Sequence, residues 1–231
     1  MTMIIKSRIW IYPFAILSIL IFLTSSCKKS LITAPETVTD IDGNVYHTVV
    51  IGTQVWLVEN LKTTRYNNGD SITKLSGQSQ WSSIARGAYC DHNNDPNFSE
   101  TYGRLYNWYA ANDPRKLAPT GWHVPTDIEW TGLVNREGGL KLAGGYLKES
   151  GLLHWPNPNY GADNRSGFTA LPSGYRDDLG VFNTLASGFW WSSTPNGISG
   201  SWSYNMSYVS NAIVRADAGW NFGYAVRCIR D

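Results

Sequence analysis

From Thr39 to Leu61 apolar and polar residues alternate almost one for one, the period of a strand with one buried face. Asp42-Gly43 and Gly52-Thr53 punctuate that run on either side of Val45 to Ile51 and ahead of Val55 to Val58, which predicts an opening β-hairpin. Two short helices are expected further on. Leu105 to Asn112 (LYNWYAAN) holds no breaker and stops ahead of Pro114, and a residue before proline avoids the helical region. The second has its own start and stop: Thr126 as N-cap, Glu129 as capping-box partner, Trp130, Leu133 and Val134 on one face, and Gly138-Gly139 at the end. Gly132 inside it costs about 1 kcal/mol relative to Ala, so this helix leans on tertiary packing. Beyond Leu140 the apolar segments are short and broken by Gly, Asn, Pro and Ser, with strands expected at 189–193, 202–209 and 224–229. Period two puts Trp202, Tyr204, Met206 and Tyr208 on one face, read as core, and points Ser203, Asn205 and Ser207 outward. The pattern describes one α+β domain with much irregular loop.

The N-terminus has a different design. Lys6 and Arg8 precede an apolar run from Ile9 to Leu23, and Ser25-Ser26-Cys27 follows. At 1.5 Å per residue that run reaches about 22 Å, short of the roughly 20 residues a membrane-spanning helix needs. Residues 1–26 therefore read as a removable secretory signal. Cys27 reads as the lipid-attachment cysteine of a bacterial lipoprotein, with Thr24 where such a motif usually has Leu. Two or more acyl chains on it would hold the protein firmly at the membrane. Residues 27–36 form the tether and 37–231 the domain. Lys28, Lys29 and Ser30 follow the cysteine; the acidic residues of a Bacteroidetes surface-export signal are missing, which favours the periplasmic face of the outer membrane.

Composition narrows the partners. The chain carries 19 basic and 18 acidic residues, and loss of Lys6 and Arg8 with the signal leaves 17 against 18, a mature net charge of −1. No basic stripe is present to neutralise a row of phosphates, so nucleic acid is not an expected partner. Eleven Trp and thirteen Tyr with 22 Gly suit a loop-rich extracytoplasmic domain. Apart from Cys27 the cysteines are Cys90 and Cys228. An even pair in an exported chain predicts a disulfide worth about 5 kcal/mol by chain entropy; the alternative is two buried, inert thiols.

Several segments resemble one family closely. They are Asp42-Gly43-Asn44-Val45-Tyr46, Ile51 to Trp56 leading to Glu59-Asn60-Leu61, Tyr102 to Ala111 (YGRLYNWYAA), Gly121 to Thr126 (GWHVPT), Ser166 to Gly174 (SGFTALPSG), Trp190 to Thr194 (WWSST) and Val226 to Asp231 (VRCIRD). Together they are similar to the Fibrobacter succinogenes major paralogous domain of Bacteroidetes and Fibrobacter lipoproteins. Val124 to Trp130, Arg136 to Gly139 and the VRCIRD ending also resemble formylglycine-generating-enzyme-type domains, a branch of the C-type-lectin-like fold. That resemblance implies twisted antiparallel sheets, two short helices, long loops forming a ligand face, and paired N- and C-terminal strands. It does not by itself carry an activity.

The candidate chemistry is sparse. A thiol enzyme of the formylglycine type would need Cys90 and Cys228, and an iron-dependent relative a histidine cluster. His47, His92, His123 and His154 are all isolated, and no G-x-S-x-G elbow occurs, so catalysis is not expected and no cofactor beyond Ca2+ is considered. Asp91, Asn93 and Asp95 set oxygens at alternate positions like the start of a calcium loop, with Asp163 and Asn164 as further donors. Pro96 and Tyr102 break the EF-hand pattern, and Asx turns explain the same residues. Stacking of sugar rings on aromatics, with amides and charges taking the hydroxyls, remains. The candidates are Trp191, Ser203 and Asn205, together with Arg215, Asp217, Trp220 and Asn221 in a loop expected between Asn211 and Asn221. Domains resembling this one also serve as targets of diversity-generating retroelements, which vary residues ahead of the last strand. The expected function is a lipid-anchored, non-catalytic binding or adhesion module for glycan or envelope protein. The alternatives are a purely structural lipoprotein, a diverged formylglycine-generating-type enzyme and a retroelement-diversified binder.

Overall fold

In the computed structural model, which describes residues 33–231, Asp40 builds the first turn. Its Oδ1 accepts from the main-chain N–H groups of Asp42 and Asn44, 2.9 Å each, and its Oδ2 from Asn44 Nδ2 at 2.8 Å and the buried Tyr46 hydroxyl at 2.6 Å. A short acceptor reaching forward along its own backbone is what suits Asp to turns. This turn joins β1 (Thr37–Thr39) to β2 (Val45–Ile51), and Gly52, at φ 67°, leads into β3 (Gln54–Leu57). The predicted hairpin is thus present with one strand added in front. The signal segment, Cys27 and the start of the tether lie outside the described residues. The last tether residues are pinned to the domain: Thr48 N–H donates to Glu36 O at 3.2 Å, the Thr48 hydroxyl to Pro35 O, and Arg230 Nη1 to Thr33 O at 2.6 Å.

The chain continues through β4 (Thr73–Lys74), α1 (Gln78–Ser82), β5 (Ala88–Cys90), α2 (Pro96–Tyr102), β6 (Leu105–Tyr106), α3 (Trp108–Ala111) and β7 (Trp122–His123). It then forms α4 (Asp127–Arg136), α5 (Ala143–Leu147), β8 (Ser187–Asn196), β9 (Gly200–Ser207), β10 (Ile213–Gly219) and β11 (Ile229–Arg230). These strands make a five-stranded sheet, β1-β2-β3-β11-β7, and two three-stranded sheets, β10-β9-β8 and β4-β5-β6. All pairs are antiparallel except β4 with β5. The architecture is α+β, and the C-terminal strand pairs with the opening hairpin, Ile229 facing Trp56.

Helix α4 has both halves of its capping box, Thr126 N–H to Glu129 Oε2 at 2.7 Å and Glu129 N–H to Thr126 Oγ1 at 3.3 Å. The helix expected over 105–112 is half strand. Leu105 and Tyr106 pair with β5, and Asn107 then caps α3, its Oδ1 accepting from Ala110 N–H at 3.1 Å and Ala88 N–H at 2.9 Å. The strand expected over 224–229 is cut to β11, with bridges at Tyr224 and Ala225. The region expected as a loop holds β10, whose Arg-Ala-Asp-Ala-Gly stretch has little β propensity and is a strand because β9 pairs with it along its length.

Sheet β10-β9-β8 lies between two apolar clusters. Successive residues of a strand point to opposite faces, so Trp190 joins Tyr204, Met206 and Ile213 around Trp56, Trp130 and Phe168, while Trp191 joins Ala218, Tyr224 and Val226. Tyr204 and Met206 are core as expected, but Ser203 does not point outward. It faces Trp191 across the ladder, is 1% exposed, and donates its hydroxyl to Ala216 O at 3.1 Å. A small residue is required there because the indole occupies the space.

Much of the backbone between these strands is irregular, and its carbonyls meet donor-only side chains. Arg227, fully buried, donates to Asn60 Oδ1 at 3.1 Å, Phe168 O at 2.5 Å and Leu57 O at 3.3 Å, with its guanidinium 4.3 Å from the Phe168 ring centre. Arg176 reaches Leu75 O, Ser76 O and Gly180 O at 2.8–3.0 Å. Lys148 gives its three donors to Tyr160 O, Ser207 O and Ser210 O at 2.8–3.0 Å, and burial pushes it down to about 8. Lys148 follows α5, where a Cβ on Gly144 would fall 2.3 Å from Ala212 O and one on Gly145 2.4 Å from Gly161 O. Only glycine lets these backbones approach so closely. The indole N–H groups of Trp81, Trp108, Trp130, Trp155, Trp191 and Trp220 likewise end on main-chain carbonyls, at 2.7–3.2 Å.

Cys90 and Cys228 do not form the expected disulfide. Both are free and buried, Cys90 in a cluster with Trp81, Ala88 and Leu105, Cys228 in another with Tyr46, Leu57 and Trp122. Each thiol fills its own apolar site. Burial pushes Cys90 up to about 12 and Cys228 higher still, which keeps both protonated and inert. A thiol reagent added without reductant is expected to find neither in the folded protein and both in guanidinium; a disulfide would hide them in both conditions. Replacing Arg227 by Met, of similar reach but without donors, strands buried carbonyls and is expected to cost about 3 kcal/mol in a urea unfolding curve.

Candidate functional site

The strongest site begins with the fixing of one indole. Trp220 donates its ring N–H to Gly200 O at 2.9 Å, and its main chain bonds to Ser199 O at 3.2 Å and to Trp108 N–H at 2.9 Å. Its ring lies on Trp108 with centres 4.9 Å apart and planes 14° apart, and Tyr109 meets it edge-on at 5.6 Å. Trp108 is buried, whereas Tyr109 and Trp220 remain half-exposed. Tyr109 lines two cavities. One, of about 380 Å3, also takes in Trp220, Asn221, Ser82, Asp178 and Leu179; the other, of about 360 Å3, takes in Arg86, Asn112, Pro114 and Arg115.

Three polar groups on this cleft lack internal partners among the described residues. Asp178 and Arg86 are exposed and make no hydrogen bond or ion pair, and Asn221 spends its Nδ2 on Ser82 O at 3.0 Å while its Oδ1 stays free. Several other carboxylates are committed, Asp42 to Thr64, Asp70 and Asp113 to Arg115, Asp127 to Arg215 and Asp163 to Arg165, while the side chains of Glu36 and Glu137, like that of Asp178, are left to solvent. The backbone beneath the free groups is fixed. Asn107 Nδ2 donates to Arg86 O at 2.8 Å, Trp81 Nε1 to Asn221 O at 2.7 Å, and Gly180, at φ 84°, closes the turn that carries Asp178.

The seven ligand residues expected from sequence divide. Trp220 and Asn221 belong to this cleft. Trp191 is core, 0% exposed, donating to Tyr106 O at 2.7 Å, and Ser203 is buried beneath it. Asn205 is half-buried opposite Phe189. Arg215 lies 3.3 Å over the Trp202 ring centre and forks onto Asp127 at 2.7 and 2.8 Å, where Tyr204 also donates at 2.8 Å. Asp217 accepts from Asn196 Nδ2 at 3.0 Å. Tyr109, Arg86 and Asp178 were not expected. Tyr109 could have been found as the aromatic one step off the buried face of WYAA; the two charges carry no sequence signal.

The calcium candidates are not brought together. Asp91 is fully buried, accepting from Ser99 Oγ at 2.5 Å with Lys74 Nζ at 2.5 Å and Arg104 Nε at 3.3 Å. Asn93 sits at φ 53° in the 3-10 turn 92–94. Asp95 caps α2, accepting from Asn97 N–H at 2.9 Å, with Pro96 in the first helical position. Asp163 pairs with Arg165, and Asn164 Oδ1 accepts from Thr169 N–H at 2.9 Å. Among the described residues no three His, Cys, Asp or Glu side chains gather as a metal site requires.

Each histidine has at least one ring nitrogen bonded. His47 bonds Glu59, His154 bonds Glu149, and buried His92 bonds Asn183 O. His123 holds Asp231 at 2.6 Å through Nδ1 and Glu129 at 2.9 Å through Nε2. Ser193 lines the same hollow as His123, but no ring nitrogen is left to serve as its base.

Burial alone would raise the Asp91 carboxyl; Lys74, Ser99 and Arg104 overcome it and hold it below the ordinary value. A carboxyl lowered in the folded state contributes stability that is full above its unfolded value of about 3.9 and lost as pH falls through the folded one. The stability gap between the native protein and Asp91→Asn is therefore expected to be widest above about pH 4 and to shrink in more acid solution, read by urea unfolding across that range.

No curated protein and no solved structure matches the chain. Residues 49–230, from the opening hairpin to the last strand and with every residue of the cleft among them, match the Fibrobacter succinogenes major domain, and the chain belongs to that family.

Proposed function

We propose that this protein is an exported envelope lipoprotein whose folded domain binds a glycan without catalysing a reaction. Cys27 carries the lipid and begins the tether of residues 27–36, whose last residues are held by Thr48 and Arg230. The setting is the outer membrane, on its periplasmic side, and family membership supports a surface or envelope protein. The arrangement is of the C-type-lectin-like kind, a reading supported by the pairing of the last strand with the opening hairpin and by the loop-built cleft.

One observation carries the binding role: two half-exposed aromatic rings, Tyr109 and Trp220, beside polar groups that the protein leaves unpaired. Sugar rings offer apolar C–H faces to such aromatics, while Asp178, Asn221 and Arg86 supply the acceptors and donors that hydroxyls need. The bonding of both His123 nitrogens and the protonated thiols support a domain without catalysis.

The test is glycan-array binding by the full-length protein in detergent, with and without calcium. Tyr109→Ala is expected to weaken the bound glycan about tenfold, roughly 1.4 kcal/mol, with an unchanged melting temperature. Undiminished binding would move the ligand elsewhere on the surface. Binding that vanishes with chelator would restore a calcium requirement, and binding of envelope proteins with no glycan retained would replace the ligand class.

A further inference from the structure

We infer that the cleft takes an acidic oligosaccharide, with a neutral ring against Tyr109 and Trp220 and a neighbouring carboxylated sugar at Arg86. The inference rests on the glycan reading of this cleft and adds the charge and direction of its ligand. Its starting point is that the two cavities with Tyr109 in both their walls differ in sign. The one containing Trp220 and Asn221 has Asp178 as its charged group, an acceptor for hydroxyls that repels a second anion. The other has Arg86 and Arg115.

Those two arginines are not equivalent. Arg115 is engaged by carboxylates, bonded to Asp113 at 2.8 and 2.9 Å and Asp70 at 3.1 Å and lying 4.0 Å over the Tyr66 ring centre. It neutralises Asp113 on the cavity wall, and its Nε–Nη2 fork is taken by that carboxylate. Arg86 is exposed and has no acceptor among the described residues, yet its main chain is clamped by Asn107. A planar guanidinium presented from a fixed backbone matches a carboxylate through two parallel hydrogen bonds, which a hydroxyl cannot reproduce. At about 380 and 360 Å3 the cavities each fall in the size range of small-ligand sites, so consecutive sugars can occupy them with Tyr109 between. The uronic carboxylate therefore belongs at the Arg86 end and the uncharged ring at the Asp178 end.

The test compares a uronic-acid tetrasaccharide with its carboxyl-reduced counterpart, using the full-length protein in detergent and isothermal titration at low and moderate salt. The native protein is expected to favour the acidic form roughly tenfold at low salt and less as salt rises. Arg86→Gln is expected to abolish that preference by weakening the acidic sugar much more than the reduced one, with the melting temperature unchanged, and Tyr109→Ala to weaken both sugars. Equal binding of the two sugars by the native protein, still weakened by Tyr109→Ala, would overturn the acidic ligand and leave the glycan reading intact. A preference that survives Arg86→Gln would overturn the role of that residue. Binding of neither sugar would overturn this inference, and the glycan reading would fall separately if the array also showed no bound glycan.

Discussion

The constraint on which this fold depends is the supply of hydrogen-bond donors to buried carbonyls. Each residue brings one N–H but a carbonyl with two lone pairs, and each proline brings no N–H at all. Where backbone leaves regular ladders and is still buried, acceptors outnumber donors, and an unpaired one costs about 1–3 kcal/mol. Arg227, Arg176, Lys148 and six indoles answer this shortage, since all are donors without acceptors. The high tryptophan content follows from the same need, because one side chain fills a core and ties a loop. These buried cations face carbonyls and not carboxylates, so each is held by several dipoles from different parts of the chain.

A second constraint follows from the position of sheet β10-β9-β8. Apolar clusters cover both of its faces, so adjacent Trp190 and Trp191 serve different cores, and the residues between them must be small or already bonded. Polar side chains there, such as Ser201 and Ser203, are consumed by neighbouring carbonyls. Where those clusters cover the sheet, its faces have no room for a ligand. The candidate cleft lies at the rim, where α3 and the segment after β10 meet and where Tyr109 and Trp220 are only partly buried.

The candidate site was legible only in part for this reason. Trp220 and Asn221 stand out as an aromatic and an amide shortly before the final strand. Trp191 and Ser203 looked equivalent to them, because period two tells which residues share a face but not whether something covers it. Asp91, Asn93 and Asp95 have a metal-loop spacing, yet Lys74 and Arg104 reach Asp91 from other segments and Asp95 is the cap of a helix that Pro96 begins. The same helix start was present in the sequence as Asp-Pro. Two cysteines left over in a chain read as exported satisfied the arithmetic of a disulfide, but pairing depends on which apolar cluster each one enters.

What the sequence determined by itself was the set of local devices whose partners lie within a few residues. Examples are the Asp40 to Gly52 hairpin, the Thr126-Glu129 capping box, the Gly138-Gly139 stop and the family to which residues 49–230 belong. Tertiary structure alone decided which strands were covered on both faces, where β10 found its ladder, that Cys90 and Cys228 stay apart, and that Arg86 and Asp178 stay unpaired beside Tyr109. The physical reason is range. A turn or cap is settled by atoms a few bonds away, whereas burial and the pairing of a charge depend on segments that only the finished fold brings within a few ångströms.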